Sequence, residues 1–146
     1  MIYEIAIIVA LALILILFLR KMPKVGAMPQ RNLTQFEQAE IFFKKGNWKR
    51  AEEYFCQAAA KDPKNVKIYQ RLGQIYLNLA NYKDAKEAFQ TALDIERSNC
   101  FDYYYLAKAY LGLKERANAK MSLQKALDLQ PNNRHFRKLM NKLRRS

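Results

Sequence analysis

The sequence has little of the residues that interrupt helices and little of those that carry most enzyme chemistry. It contains four glycines, four prolines, two cysteines and one histidine in 146 residues. It holds no glycine-rich phosphate loop, and His135 has no carboxylate or cysteine at a catalytic spacing. Cys56 and Cys100 match no metal-ligand or redox spacing, so we expect buried or half-buried free thiols in a reducing cytoplasm. The sequence therefore predicts a protein that is not an enzyme and that holds no metal or cofactor.

Acidic residues are also scarce, and the resulting positive charge is local. The chain has 26 basic and 13 acidic residues and a net charge of +13. Residues 20–31 carry +4 and residues 134–146 carry +6, whereas the 34-residue segments between them carry +1, +1 and +2. This distribution favours two local electrostatic features over a nucleic-acid surface that covers the whole domain.

Residues 32–133 contain one pattern three times, at a spacing of 34 residues. The second copy holds Tyr69, Leu72, Gly73, Tyr76, Ala85, Phe89 and Ala92. The first copy holds Gln35, Gln38, Ala39, Phe42, Ala51, Phe55 and Ala58. The third copy holds Tyr103, Leu106, Ala107, Tyr110, Ala119, Leu123 and Ala126. A fixed period of this length is typical of a helical repeat array.

Each copy contains two apolar stripes at i, i+3, i+4 and i+7 spacing, which indicates two helices joined by a short turn. The turns are expected at residues 45–47, 80–81 and 114–115. Small residues such as Gly73 let two helices approach closely, and large residues such as Phe89 fill the space between them. One hairpin cannot bury its apolar face alone, so neighbouring hairpins must stack.

The pattern resembles the tetratricopeptide repeat (TPR) family over residues 32–133. The second copy matches almost fully, and the first departs at Gln35 and Gln38, as terminal repeats often do. The resemblance implies an all-α array of three helical hairpins. The repeats would occupy residues 32–65, 66–99 and 100–133.

Residues 1–19 form an apolar run in which Glu4 is the only charged side chain. As a helix they would span ~28 Å, close to the thickness of a bilayer's hydrocarbon core. The alternatives are a cleaved signal peptide, with residues 25–27 as its small-residue cleavage site, and a buried core helix. The basic residues between the run and that site, and the lack of an apolar partner surface, favour an uncleaved membrane anchor.

Residues 20–31 form a basic linker that follows the apolar run. Its prolines, Pro23 and Pro29, should prevent the membrane helix from continuing into the first repeat. Its basic residues are Arg20, Lys21, Lys24 and Arg31. Since no basic side chain precedes the run, the positive-inside rule predicts an amino terminus outside and an array in the cytoplasm. Single-pass proteins of this outline resemble bacterial inner-membrane TPR adaptors.

Residues 134–146 form a basic amphipathic segment. Phe136, Leu139, Met140 and Leu143 fall on one helical face, so the segment is expected to cap the third hairpin. Its basic face is either a solvated surface, which we favour, or a contact for anionic lipid headgroups. RNA ranks below both, because the one aromatic side chain belongs to the apolar face.

In the TPR family the first helices of the hairpins line a concave groove that holds peptide segments of partners. The resemblance carries this role to twelve positions. They are Phe36, Glu40, Phe43, Lys67, Gln70, Gln74, Leu77, Asn78, Phe101, Tyr104, Lys108 and Leu111. Core packing in this register does not require the four aromatic members, which favours binding over the alternative that they pack under the linker. The alignment of the repeats predicts that Tyr103 lies in the hairpin core and Tyr105 on the outer rim.

A known subset of the family clamps the terminal carboxylate of chaperone tails with lysine, asparagine and arginine. The matching positions here hold Phe36, Glu40, Arg71, Phe101 and Tyr105. Only Arg71 fits, so we expect no capture of chaperone tails by this route.

The sequence thus predicts a membrane-anchored TPR adaptor or scaffold that holds a partner's peptide at the cytoplasmic face of the membrane. Envelope assembly, secretion and division machinery are the expected settings. One alternative is an analogue of an organelle protein-import receptor. A second is a structural protein that self-assembles on a membrane.

Overall fold

The computed structural model describes residues 33–145, which form seven α-helices. Their bounds are α1 Gln35–Lys44, α2 Trp48–Lys61, α3 Val66–Asn78, α4 Tyr82–Ile95, α5 Cys100–Gly112, α6 Arg116–Leu129 and α7 Arg134–Arg145. The all-α array predicted from the repeats is confirmed. The predicted anchor at residues 1–19 and the linker at residues 20–31 lie outside the described residues. Within residues 33–145, none of the helices combines the length and apolar character needed to cross a membrane.

The same turn joins the two helices of each hairpin. Gly46, Ala80 and Lys114 lie 34 residues apart and have φ angles of 71°, 56° and 65°. Glycine adopts this left-handed region without steric cost, whereas alanine and lysine must be held there by their surroundings. In the second turn the amide of Asn81 donates to the carbonyl of Tyr76 at 2.8 Å, and equivalent bonds close the other two turns. The period of the sequence is therefore also a period of backbone conformation.

Close approach of the paired helices depends on a column of small residues. A Cβ atom added at Gly73 would lie 2.6 Å from the ring of Phe89, a distance that real contacts do not reach. Ala39 and Ala107 occupy the same column and are fully buried. The predicted pairing of small and large side chains is confirmed at Gly73, where glycine is needed to admit an aromatic ring.

Helix α7 packs its apolar face on the third hairpin. Phe136, Met140 and Leu143 are buried, and Leu139 is half-buried. Arg116 donates from Nη2 to the carbonyl of Leu143 at 3.0 Å, which satisfies an acceptor at the carboxyl end of the helix. This packing agrees with the capping role predicted for the segment.

The two cysteines differ in their environments. Cys100, at the start of α5, is buried as predicted, but Cys56 on α2 is exposed. The prediction for Cys56 was wrong because Phe55 and Ala58 define the inward face of α2. Cys56 lies beside that face, with its thiol near Tyr76 and Glu52, as the helical period allows.

Candidate functional site

The first helices of the three hairpins line a common cavity of about 470 Å³. Helices α1, α3 and α5 all contribute to it. Its lining residues are Phe36, Glu40, Lys44, Lys67, Gln70, Arg71, Gln74, Asn99, Phe101, Asp102 and Tyr105. Six of the twelve predicted groove residues are therefore together in one concavity.

A second cavity of about 260 Å³ lies beside the first. It is lined by Phe43, Gln74, Leu77, Asn78, Tyr105 and Lys108. Gln74 and Tyr105 line both cavities, so the two adjoin along the array, and we call them together the groove. The structure thus places ten of the twelve predicted positions along it.

The remaining two positions, Tyr104 and Leu111, pack against the core beneath α7. The ring of Tyr104 stacks on that of Phe136 with centroids 5.0 Å apart. Tyr105, predicted on the outer rim, instead lines the groove and stacks on Phe89 at 5.5 Å. The rim prediction for Tyr105 was wrong, because Tyr105 shares the repeat column of Arg71, which lines the same cavity. Helix α7 instead covers the side of α5 that carries Tyr104.

The other predicted groove aromatics take part in core packing more than their register suggested. Phe36 and Phe43 both contact the buried Phe55 edge-on, with centroids 5.7 and 6.4 Å apart. Phe101 contacts Phe136 edge-on at 5.5 Å but remains 45% exposed. The rings of Phe36 and Phe43 are thus part groove wall and part core, whereas Phe101 keeps an open face.

Arg71 is engaged within the groove. Its Nε and Nη2 atoms donate to the carboxylate oxygens of Glu40 at 2.6 and 3.4 Å. Its Nη1 atom donates to Gln74 Oε1 at 3.1 Å, and the guanidinium lies 4.6 Å from the ring centroid of Phe43. The charge of Arg71 is therefore already compensated by Glu40, which links α1 to α3.

Asp102 is a groove residue that sequence reasoning missed. Its side chain is 2% exposed, and its Oδ2 atom accepts a hydrogen bond from Gln70 Nε2 at 2.7 Å, which links α3 to α5. The pKa of Asp102 is raised from 3.8 to about 6, mainly by burial, with a smaller contribution from the charge of Glu96 and a partly opposing effect of the Gln70 hydrogen bond. The 34-residue spacing could have revealed Asp102, because the equivalent positions of the neighbouring repeats hold the apolar residues Ile68 and Phe136. An acidic residue at a position that is apolar in the neighbouring repeats opposes the packing pattern, and such exceptions often mark functional sites.

Comparison with protein families settles the class of repeat. A family model described as tetratricopeptide repeat matches residues 42–106, and a second model with the same description matches residues 103–133. Residues 42–133 are tetratricopeptide repeats. The search of curated proteins finds no match to this TPR chain.

Solved structures share the fold. The first TPR of Spaghetti (RPAP3), bound to the HSP90 peptide SRMEEVD, is 22% identical with a TM-score of 0.73, over 76% of this chain and 88% of that chain. The second TPR domain of human RPAP3, in complex with the HSP70 peptide SGPTIEEVD, is also 22% identical with a TM-score of 0.73. The match covers 77% of this chain and 94% of that chain. MamA from Desulfovibrio magneticus RS-1 is 21% identical with a TM-score of 0.72, over 75% of this chain and 62% of that chain. At these identities the likeness establishes the fold.

Proposed function

We propose that the TPR array is an adaptor that binds an extended peptide segment of a partner protein in the groove of α1, α3 and α5. The observation that carries this proposal is that two adjoining cavities follow all three helices. Phe101 offers an open aromatic face there, and buried aromatic contacts dominate the energy of many protein interfaces. Exposed lysines, Lys67 and Lys108, supply polar contacts at the edges.

The bound segment is internal to the partner and is not a carboxyl-terminal tail. The peptides in the two RPAP3 structures both end in Glu-Glu-Val-Asp. Here Arg71, the one residue that fits a carboxylate clamp, is already paired with Glu40. A terminal carboxylate would have to break this ion pair and its bond to Gln74, so the affinity gained from Arg71 would be small.

The proposal is tested by crosslinking from the groove of the full chain in native membranes. A photoreactive phenylalanine analogue at Phe101 should crosslink one partner, and the same analogue at Met121, 64% exposed on α6, should not. The crosslinked peptide, once identified by mass spectrometry, is then synthesised. Phe101→Ala should weaken its binding roughly tenfold, as loss of an aromatic anchor does, while Met121→Ala should leave it unchanged. Equal crosslinking at both positions, or full affinity in Phe101→Ala, would exclude the groove as the binding site.

We further infer that residues 1–19 anchor the array to a membrane. Support comes from the length and apolar character of this run and from the four basic residues of the linker that follows it. The array would then lie on the cytoplasmic side, with a bacterial inner membrane as the expected location. A membrane-impermeant thiol reagent should fail to label a cysteine engineered at Lys24 in intact cells. Labelling from outside would show that the orientation is the reverse of the proposed one.

We also propose that the basic face of α7, which is solvated in the isolated array, contacts anionic lipid once the array is anchored to a membrane. Arg134, Arg137, Lys138, Arg144 and Arg145 are exposed on this helix, which has no acidic residue. Each basic residue near an anionic surface contributes about 1 kcal/mol. Residues 33–146 should therefore float with phosphatidylglycerol vesicles and not with phosphatidylcholine vesicles. Flotation that survives replacement of Arg137 and Lys138 by glutamate would rule this contact out.

The setting of such an adaptor is envelope assembly, secretion or division machinery, with an import-receptor role as the alternative. Self-assembly on the membrane is a rival of another class, and the mass of the full chain in detergent distinguishes it. An adaptor keeps one mass as its concentration rises, whereas a coat protein gains mass.

A further inference from the structure

We propose that the segment bound in the groove supplies a lysine or arginine side chain that forms an ion pair with Asp102. This inference rests on the proposed function, since it concerns the chemistry of the same groove. It assigns a class of partner, a segment with a basic side chain next to apolar ones. Asp102 becomes the residue that sets this specificity.

The first support is the position of Asp102 in the repeat. Two columns meet where the first helix of one repeat contacts the first helix of the next. One column holds Phe36, Gln70 and Tyr104, and the other holds Ile68, Asp102 and Phe136. Phe36 packs against the cluster that contains Ile68, Tyr104 stacks on Phe136, and Gln70 bonds Asp102. The fold thus accepts apolar pairs at two of the three contacts and holds a carboxylate at the third.

The second support is the missing counter-charge of Asp102. A carboxylate has about four acceptor positions, and Gln70 occupies one of them with a neutral amide. Among residues 33–145, no lysine, arginine or histidine lies within ion-pair distance of this carboxylate. Arg71 lines the same cavity but is held by Glu40. A buried carboxylate without a cation is costly, so a cation that a ligand brings would gain more here than at the surface.

The third support is the shape of the space in front of Asp102. Phe36, Phe101 and Tyr105 line the cavity of about 470 Å³ that Asp102 also lines. Aromatic faces of this kind accept the aliphatic stem of lysine or the plane of an arginine guanidinium. Lys44 and Lys67 line the same cavity but are exposed, so solvent and salt screen their repulsion of an incoming cation.

A selection experiment on the full chain in lipid nanodiscs tests the assignment. A phage library of random 12-residue peptides is selected against the parent, Asp102→Asn and Asp128→Asn, where Asp128 is exposed on α6. The parent and Asp128→Asn should enrich peptides with one lysine or arginine near an apolar residue. Asp102→Asn should lose the basic residue from its selected peptides and keep the apolar one.

The selected parent peptide is then measured with its lysine or arginine changed to glutamine. This change should weaken binding to the parent by about tenfold or more and binding to Asp102→Asn by less than about twofold, because the two changes remove the same contact. An equal loss in both proteins, or parent peptides without a basic residue, would overturn the role of Asp102 while leaving the groove in place. If no selected peptide depends on Phe101, the groove proposal falls as well. Circular dichroism at each step confirms that the isosteric variant is folded.

Discussion

The contact between α3 and α5 and the contact between α5 and α7 use the same two repeat positions with opposite chemistry. Between α5 and α7, Tyr104 stacks on the fully buried Phe136. Between α3 and α5, the equivalent positions hold Gln70 and the buried Asp102. The aromatic pair removes apolar surface from water, which stabilises the fold, while the polar pair must offset the desolvation of a carboxylate. The difference teaches that, of these two contacts, the one at the end of the array serves stability, whereas the one near its middle holds the carboxylate that we propose recognises a partner.

Loss of the aromatic contact should have the largest effect. Phe136→Ala removes a fully buried ring and uncovers the third hairpin, so we expect a loss of about 3–5 kcal/mol in the free energy of unfolding. Denaturant unfolding measures it. The control is Arg137→Ala on the exposed face of the same helix, which should change stability by less than about 0.5 kcal/mol. Similar midpoints for both variants would mean that α7 contributes little to the fold.

Neutralising Asp102 in the polar contact should have the second-largest effect on the free energy of unfolding, and it should stabilise the array. The pKa of Asp102 is raised to about 6 in the folded state, so the folded chain binds more protons than the unfolded chain between about pH 4 and 6. The stability contributed by this group is therefore present at low pH and lost as the pH rises through 6. Asp102→Asn should stabilise the array by about 1–3 kcal/mol at pH 7 and by almost nothing at pH 4.

Melting curves of the parent and of Asp102→Asn at intervals between pH 4 and 7 measure this difference. Asp128→Asn serves as the control and should follow the parent at every pH. A pH-independent difference between Asp102→Asn and the parent would show that Asp102 ionises normally in the folded chain.

The smallest effect is expected at Tyr104, the other member of the aromatic contact. Its ring is half-buried against Phe136, so Tyr104→Ala should cost about 1–2 kcal/mol. Tyr104→Phe keeps the stacked ring and should remain within about 0.5 kcal/mol of the parent. Thermal melting separates the two. If Tyr104→Ala melts with the parent, the ring contributes nothing to the packing of α7 and belongs to the groove instead.

The sequence was sufficient for the hairpins, the turns and most of the groove because those features repeat every 34 residues. For example, the repeat position of Gly73, which holds a small residue in every copy, was enough to predict its close packing against Phe89. Tyr104 could not be placed in the same way, because its surroundings depend on where α7 docks on α5. The column did hold the answer for Tyr105, since Arg71 occupies it and lines the groove. Asp102 was missed for a different reason. A single acidic residue in the first turn of a helix is usually solvated and favourable there, and only its comparison with Ile68 and Phe136 exposes the conflict.

The pairing of the two contact columns also fixes the order of the repeats. A second copy of residues 66–99 inserted after Asn99 would place Gln70 of one copy against Ile68 of the next, and the half-buried amide of that Gln70 would lose its hydrogen bond to Asp102. The array therefore cannot be lengthened by duplicating its middle unit without a loss of stability. The contact residues of each repeat match those of its own neighbours, so the three repeats are not interchangeable and their order is fixed.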